Sequence, residues 1–304
     1  MTRSVSIIGK IKVTIGVCVK NAERTVEFPI RSILKQSYPR NCMELIIVDG
    51  SSKDRTMLII RRLLKGVDLK TKFFTENVGL GFARQLVVDN AEGEYIIWVD
   101  DDIILKRNFV EKQVNFMTTH PLAGIGKARY GILRNSSHVA FLENITFVIE
   151  TLKPYEEIPP EMCVTEGAIY RLSAIRDAGG FNSSFKGAAE DTELAKRILS
   201  KGWKAYVTDA VFWELCKESW RDLWNQYVWW GKGWHQYFHK NKEPILLLKM
   251  SPIGGFLAGI LRFPAAYLLT HRKLLCLLPF HYAFKRIAFC YGVTKAHFEG
   301  YGHY

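Results

Sequence analysis

Three consecutive aspartates, Asp100, Asp101 and Asp102, follow the apolar run "EYIIWV". Unit charges about 4 Å apart repel by roughly 1 kcal/mol in water and about 4 kcal/mol near a protein surface. A fold that keeps the three together therefore gains from a counter-charge. Mg2+ and Mn2+ prefer oxygen ligands, commonly one or two carboxylates plus substrate phosphates, so the triplet suits a metal–diphosphate site. Taken alone, it reads equally well as a solvated acidic turn before a helix.

Other polar groups follow apolar runs in the same manner. "VDGSSKD" (48–54) carries Asp49 and Asp54 around small residues that let backbone N–H groups approach a ligand. A carboxylate there can accept from a base or from ribose hydroxyls, and Asp54 is equally suited to capping the next helix. "KNAER" (20–24) offers Glu23 after the first run, and "ENVGLGFARQ" (76–85) offers Arg84. Arg84 can reach a phosphate or brace the acidic cluster, and its glycines do not form a dinucleotide fingerprint. "AAEDTELAKR" puts Glu190 and Asp191 where a helix begins, a place that stabilises anions. Capping is one role there. The other is a general base, if an acceptor hydroxyl comes within hydrogen-bond reach of Asp191. His235 and His239 share a helix face, but no acidic third ligand stands nearby at a recognisable spacing, so a metal pair is not favoured.

The elements that must position these groups alternate through the first hundred residues. Strands are expected at 12–19, 44–49, 70–75 and 94–100, and helices at 22–36, 54–66 and 79–91. This order implies an α/β fold, a mostly parallel sheet flanked by helices, whose ligands bind outside the strand carboxyl ends. Asp49 and Asp100 stand at such ends. Further on, 167–181 reads as strand, helix and glycine turn, 189–203 as a helix, 205–215 as two short strands joined by a turn, and 219–238 as mostly helical.

The 304 residues, 48% hydrophobic and 24% charged, support a large core and exclude global disorder. Six scattered cysteines with no CxxC pair suggest reduced thiols in the cytosol, and the first residues show no secretory signal. The net charge is +12, of which residues 240–304 carry nine Lys or Arg against two Glu. Basic charge interleaved with apolar segments such as "IGGFLAGIL", "FPAAYLL" and "LLCLLPFHYAF" fits the anionic, cytoplasmic face of a membrane better than nucleic acid. No run reaches the roughly 20 residues of a full span. The expected division is a catalytic domain over 1–238 and a basic, apolar helical tail over 239–304.

The pieces "NAE", "SILKQSYP", "VDGSSKDRT", "NVGLGFARQ", "WVDDD", "GGF" and "EDTELAKRILSKGW", in this order, resemble the inverting glycosyltransferases of family 2 with the GT-A fold, over about residues 11–235. The resemblance implies that Glu23, Asp49, Asp54, Arg84, Asp100 and Asp101 hold a UDP- or GDP-linked sugar. Asp102, with Asp100, would hold Mg2+ or Mn2+. Asp191, paired with Glu190, would be the base that activates a glycan or lipid-linked acceptor. "AVFWEL" and "QYVWWGKG" look like acceptor-side regions of membrane-embedded polysaccharide synthases, which puts Glu214, Gln226 and Trp230 on the acceptor or product side. Tyr227 and Trp229 replace two arginines of that pattern, and Trp213 stands where many soluble relatives have a metal-binding histidine. A polyprenyl-phosphate glycosyl synthase and a non-catalytic membrane-bound sugar-nucleotide sensor remain the alternatives.

Overall fold

The structure is a computed structural model that describes residues 12–134, 136–241 and 250–300. The first residues of the chain and parts of the basic tail, 242–249 and 301–304, lie outside the described residues.

Alternating apolar runs build the first half as expected. Strands β1 (Val13–Val19), β2 (Met43–Asp49), β3 (Lys70–Thr75) and β4 (Tyr95–Trp98) form a parallel block. Helices α1 (Glu27–Leu34), α2 (Thr56–Leu64) and α3 (Leu80–Asn90) connect them. β2 is buried along its whole length, as a strand covered on both faces must be. The second half adds β5 (Ile103–Leu105), α4 (Phe109–Thr119), β6 (Ala123–Tyr130), α5 (His138–Glu150), β7 (Ala168–Arg171), α6 (Leu172–Asp177), α7 (Glu190–Ser200) and β8 (Lys204–Glu214). The eight strands lie in the order β3-β2-β1-β4-β7-β6-β8-β5. β7 is antiparallel to β4 and β6, and β5 is antiparallel to β8, so the parallel block continues into a mixed half.

Two expectations change. Residues 204–214 form one strand, not two. Its register against β6 slips between the Lys127–Val207 and Arg129–Val211 pairs, and the irregularity absorbs the polar "TD" that reads as a turn. In the tail, "IGGFLAGIL" and "FPAAYLL" are one helix, α9 (Pro252–Thr270), 19 residues long and apolar enough to cross a membrane by length and composition. Arg262 does not interrupt it, because its guanidinium reaches Glu150 of α5 and Tyr282, both at 2.6 Å.

Helix α8 (Trp220–Asn241) runs through the expected boundary at 238/239. Helix α10 (Leu278–Phe298) lies alongside it. The division therefore reflects composition and not a break in the helix. A Cβ on Gly231 would clash with the carbonyl of Phe289, and one on Gly292 with that of Val228, so these two glycines let α8 and α10 meet backbone to backbone. Behind them, Glu143 of α5 is buried and accepts from His281, Lys285 and Tyr227 at 2.6–2.7 Å. That network binds the tail to the sheet domain.

Candidate active site

The acidic triplet occupies the crossing from the sheet centre to its far edge. The Val99 N–H donates to Gly16 at 3.0 Å, after which the chain leaves β4 and returns as β5 against β8. The Leu215 N–H donates to the Asp102 carbonyl at 2.7 Å and fixes the turn. Each carboxylate has a separate neighbour. Asp100 Oδ1 lies 3.6 Å from Arg84, Asp101 accepts from Thr25 at 3.2 Å, and Asp102 lies 3.3 Å from Lys217 Nζ.

Helix α7 approaches from the other side. Ala189 turns into it with φ of +78°, a left-handed conformation that costs a non-glycine residue about 1–2 kcal/mol. Gly233 of α8 is pressed against the Ala188 backbone, which holds the turn in place. Glu190 is 1% exposed and its Oε1 sits 2.8 Å from Arg84 Nε, although that N–H is not aimed at the oxygen. Arg84 is itself buried and lies over the Trp98 ring at 5.4 Å. Asp191 is pinned as an acceptor. Its Oδ2 takes the Thr165 N–H at 3.0 Å and the Thr165 hydroxyl at 3.2 Å, and its Oδ1 takes the Thr192 N–H at 2.7 Å.

Arg84, Asp100, Glu190, Asp191 and Trp230 line one cavity of about 290 Å³. Glu23, Asp49 and Asp54 gather at the neighbouring strand ends and do not line it. Asp54 accepts from the Glu23 and Thr56 N–H groups at 3.0 Å, Glu23 accepts from Arg55, and Asp49 accepts from Ser52 at 3.1 Å. Gln226 does not line the cavity either. Glu214 is buried at the end of β8, opposite Ile103.

Several groups in the site are not evident from the sequence. Lys127 of β6 lines the cavity, 1% exposed, and donates to the Glu166 carbonyl and, at 3.1 Å, to the Tyr130 hydroxyl. Tyr130 in turn donates to Glu166 Oε2 at 2.7 Å. A lysine inside the apolar strand "AGIGKARY" is the signal that could have found them.

Burial dominates the electrostatics. It raises the carboxyls of Asp101 to about 6, Glu166 to about 7 and Glu190 to about 8. Neighbouring aspartates add to this for Asp101 and Glu190, whereas Lys127 opposes it at Glu166. Glu214 is also pushed well up, first by burial and then by Glu166 and Asp102. Buried Glu166 Oε1 and Glu214 Oε2 accept no hydrogen bond among the described residues. Against these acids stand Arg84, Lys127 and Lys217. The neighbouring carboxylates of Asp100 and Asp102 are hard oxygen donors of the kind that Mg2+ or Mn2+ takes, and they are the candidate ligands.

Residues 14–179, more than half of the chain, match the family model described as Glycosyl transferase family 2. The chain belongs to that family. This family 2 glycosyltransferase is 24% identical over 241 residues to a poly-beta-1,6-N-acetyl-D-glucosamine synthase of Staphylococcus epidermidis, covering 75% of this chain and 56% of that protein. It is 22% identical over 229 residues to the poly(ribitol-phosphate) beta-N-acetylglucosaminyltransferase TarS of Staphylococcus aureus, covering 71% and 38%. The chain thus spans about half, or less, of the length of these curated relatives. Among solved structures, the mannosyltransferase PcManGT of Pyrobaculum calidifontis, in complex with GDP-Man and Mn2+, superposes with a TM-score of 0.68 at 20% identity, over 96% of this chain and 88% of that one. TarS 1–349 of S. aureus, in complex with UDP-GlcNAc, gives 0.53 at 16% identity, over 95% and 92%. The GT-A fold expected from the sequence is the fold observed.

Proposed function

We propose that this glycosyltransferase moves a sugar from a UDP- or GDP-sugar to a lipid-linked or glycan acceptor, with inversion at the anomeric carbon, at the cytoplasmic face of a membrane. The observation that carries the reading is the convergence of Arg84, Asp100, Glu190 and Asp191 on one cavity at the carboxyl end of the sheet. The GDP-Man, UDP-GlcNAc and Mn2+ named with the structural neighbours support the donor class and the metal.

In this mechanism Glu23, Asp49, Asp54 and Asp101 orient the nucleotide, and Arg84 balances charge beside Asp100. Asp191, held by Thr165 and Thr192 at the amino end of a helix, accepts the acceptor's proton. The acceptor oxygen bonds to the anomeric carbon as the bond to phosphate breaks, and the nucleoside diphosphate leaves with the electron pair. A divalent cation at Asp100 and Asp102 would supply charge neutralisation for that leaving group.

The far end of the cavity favours an acceptor hydroxyl carried on a lipid-linked phosphate over a free sugar. Trp229, Trp230, Met250 and Phe289 make it apolar, and Arg286 brings a cation whose buried Nε–H donates to no partner among the described residues. Trp230 then belongs to the acceptor and product side, to which Glu214 and Gln226, both outside the cavity wall, are also assigned. In Asp191→Asn, turnover of nucleotide sugar should fall by about 100-fold or more while binding of UDP or GDP with Mn2+ persists. Turnover equal to the parent protein would overturn the role of Asp191. Absence of any thermal shift with nucleotide sugars plus Mn2+ would overturn the donor reading and the sugar-nucleotide sensor with it.

A further inference from the structure

Outside the carboxylate cluster, α8 and α10 bring together His235, His239 and His297. One ring nitrogen from each lies within 4.8 Å of the other two. His235 Nε2 is 3.1 Å from His239 Nε2 and 3.4 Å from His297 Nδ1. Zinc binds imidazole at about 2.0–2.1 Å with tetrahedral geometry, which sets ligating nitrogens about 3.4 Å apart. The observed separations match that spacing on two edges, and the third closes by rotation of the two exposed rings, His239 and His297. His235, 3% exposed, is held in place by the backbone contact of α8 with α10 one turn earlier, at Gly231. A single divalent ion placed among the three rings would be within coordinating reach of all of them.

We propose that these histidines form a site for a borderline transition metal, Zn2+ foremost, that clamps the last helix to α8. Imidazole ligands select Zn2+, Co2+, Ni2+ or Cu2+ over the oxygen-seeking Mg2+ of the carboxylate site. The site opens into a surface cavity walled by Phe238, Val293, Thr294 and Phe298, which leaves room for water as a fourth ligand. Clamping closes a loop of roughly 60 residues. It also fixes α8, whose Trp230 and Trp234 wall the active-site cavity.

The test uses the full chain without a histidine tag, stripped with chelator and then kept in excess Mg2+. Titration with Co2+ should give visible d–d absorption of a tetrahedral, nitrogen-bound ion that saturates at one equivalent, and Zn2+ should displace it. Zn2+ should also raise Tm by a few degrees. His239→Ala and His297→Ala, both at exposed rings, should each abolish the Co2+ band and the Zn2+-dependent rise in Tm. No stoichiometric band in the parent chain, or an unchanged band in both variants, would overturn the site. The readouts need neither donor nor acceptor, so they stand apart from any test of glycosyl transfer.

Discussion

Glu190 and Asp191 are sequence neighbours with different surroundings, and the difference assigns their work. Asp191 receives N–H and hydroxyl donors on both oxygens, whereas Glu190 is buried against Arg84 with its carboxyl raised to about 8, first by burial and then by Asp191. Between the ordinary glutamate value of about 4.3 and about 8, the folded protein holds a proton on Glu190 that the unfolded chain has released. The folded state then binds more protons, so stability falls as pH rises through this window. Thermal melts of the metal-free protein from pH 5 to 8 should show Tm declining. Glu190→Gln, which mimics the protonated form, should flatten that decline by a few degrees, and Asp101 and Glu166 should maintain the remainder. A variant with the parent's full slope would show that Glu190 carries no such proton. At the same scale, Lys127→Met removes the cation that opposes burial at Glu166. It should weaken binding of UDP or GDP with Mn2+ by about tenfold, as read by calorimetry, because the cavity loses a buried cation that faces the anionic diphosphate.

The elements follow from sequence where their partners are near in the chain, and escape it where they are not. The first seven elements come from local alternation, and Asp100–Asp102 are legible because a charged triplet ending an apolar strand is visible without any fold. Lys127 and Glu166 read as ordinary polar residues, since their contact joins positions 39 apart on the antiparallel half of the sheet. Arg262 looks like a helix breaker because Glu150 lies 112 residues away. His297 is remote from His235 and His239, so the pair looks incomplete until α10 folds back along α8. The same remoteness hides Glu143, whose carboxyl is held near 2 against its burial, with Lys285 and His281 as the opposing influences. Such a depressed group contributes stability above the unfolded value of about 4.3, and that contribution is lost as pH falls through about 2. Replacing one member of a buried pair leaves the other charge uncompensated and typically costs about 3–5 kcal/mol. Urea unfolding of Glu143→Gln should therefore show a clearly lower midpoint than the parent. A joint Glu143→Leu and Lys285→Met change should recover much of the loss. Equal midpoints for Glu143→Gln and the parent would remove this network from the account of how the tail is held.

At the scale of the whole molecule, the uneven charge and the exposed apolar surface fall in the same region. Ile253, Leu257, Ile260, Leu261 and Leu268 project from α9 at helical spacing, with Ile253, Leu261 and Leu268 more than 70% exposed. The opposite side of α9 packs on α10 through Gly255 and Gly259. The ion pair of Arg262 with Glu150 fastens the middle of the helix to α5, beside the sheet. A helix held there at mid-length is poorly placed to cross a bilayer, whereas its free face can enter the interface while the basic residues of the tail meet anionic headgroups. Fully burying a leucine-sized side chain contributes about 1.5–3 kcal/mol. Flotation with vesicles rich in phosphatidylserine should therefore carry the parent protein upward, with neutral vesicles and high salt weakening the effect. Ile253→Glu with Leu261→Glu should lower the partition by at least about tenfold without changing the far-ultraviolet circular dichroism. Release by salt or carbonate is the expected behaviour of an interfacial helix. Retention in carbonate-washed membranes would instead mean that α9 detaches from α5 and spans, and the pairing of Arg262 with Glu150 would then not survive in the membrane-bound enzyme.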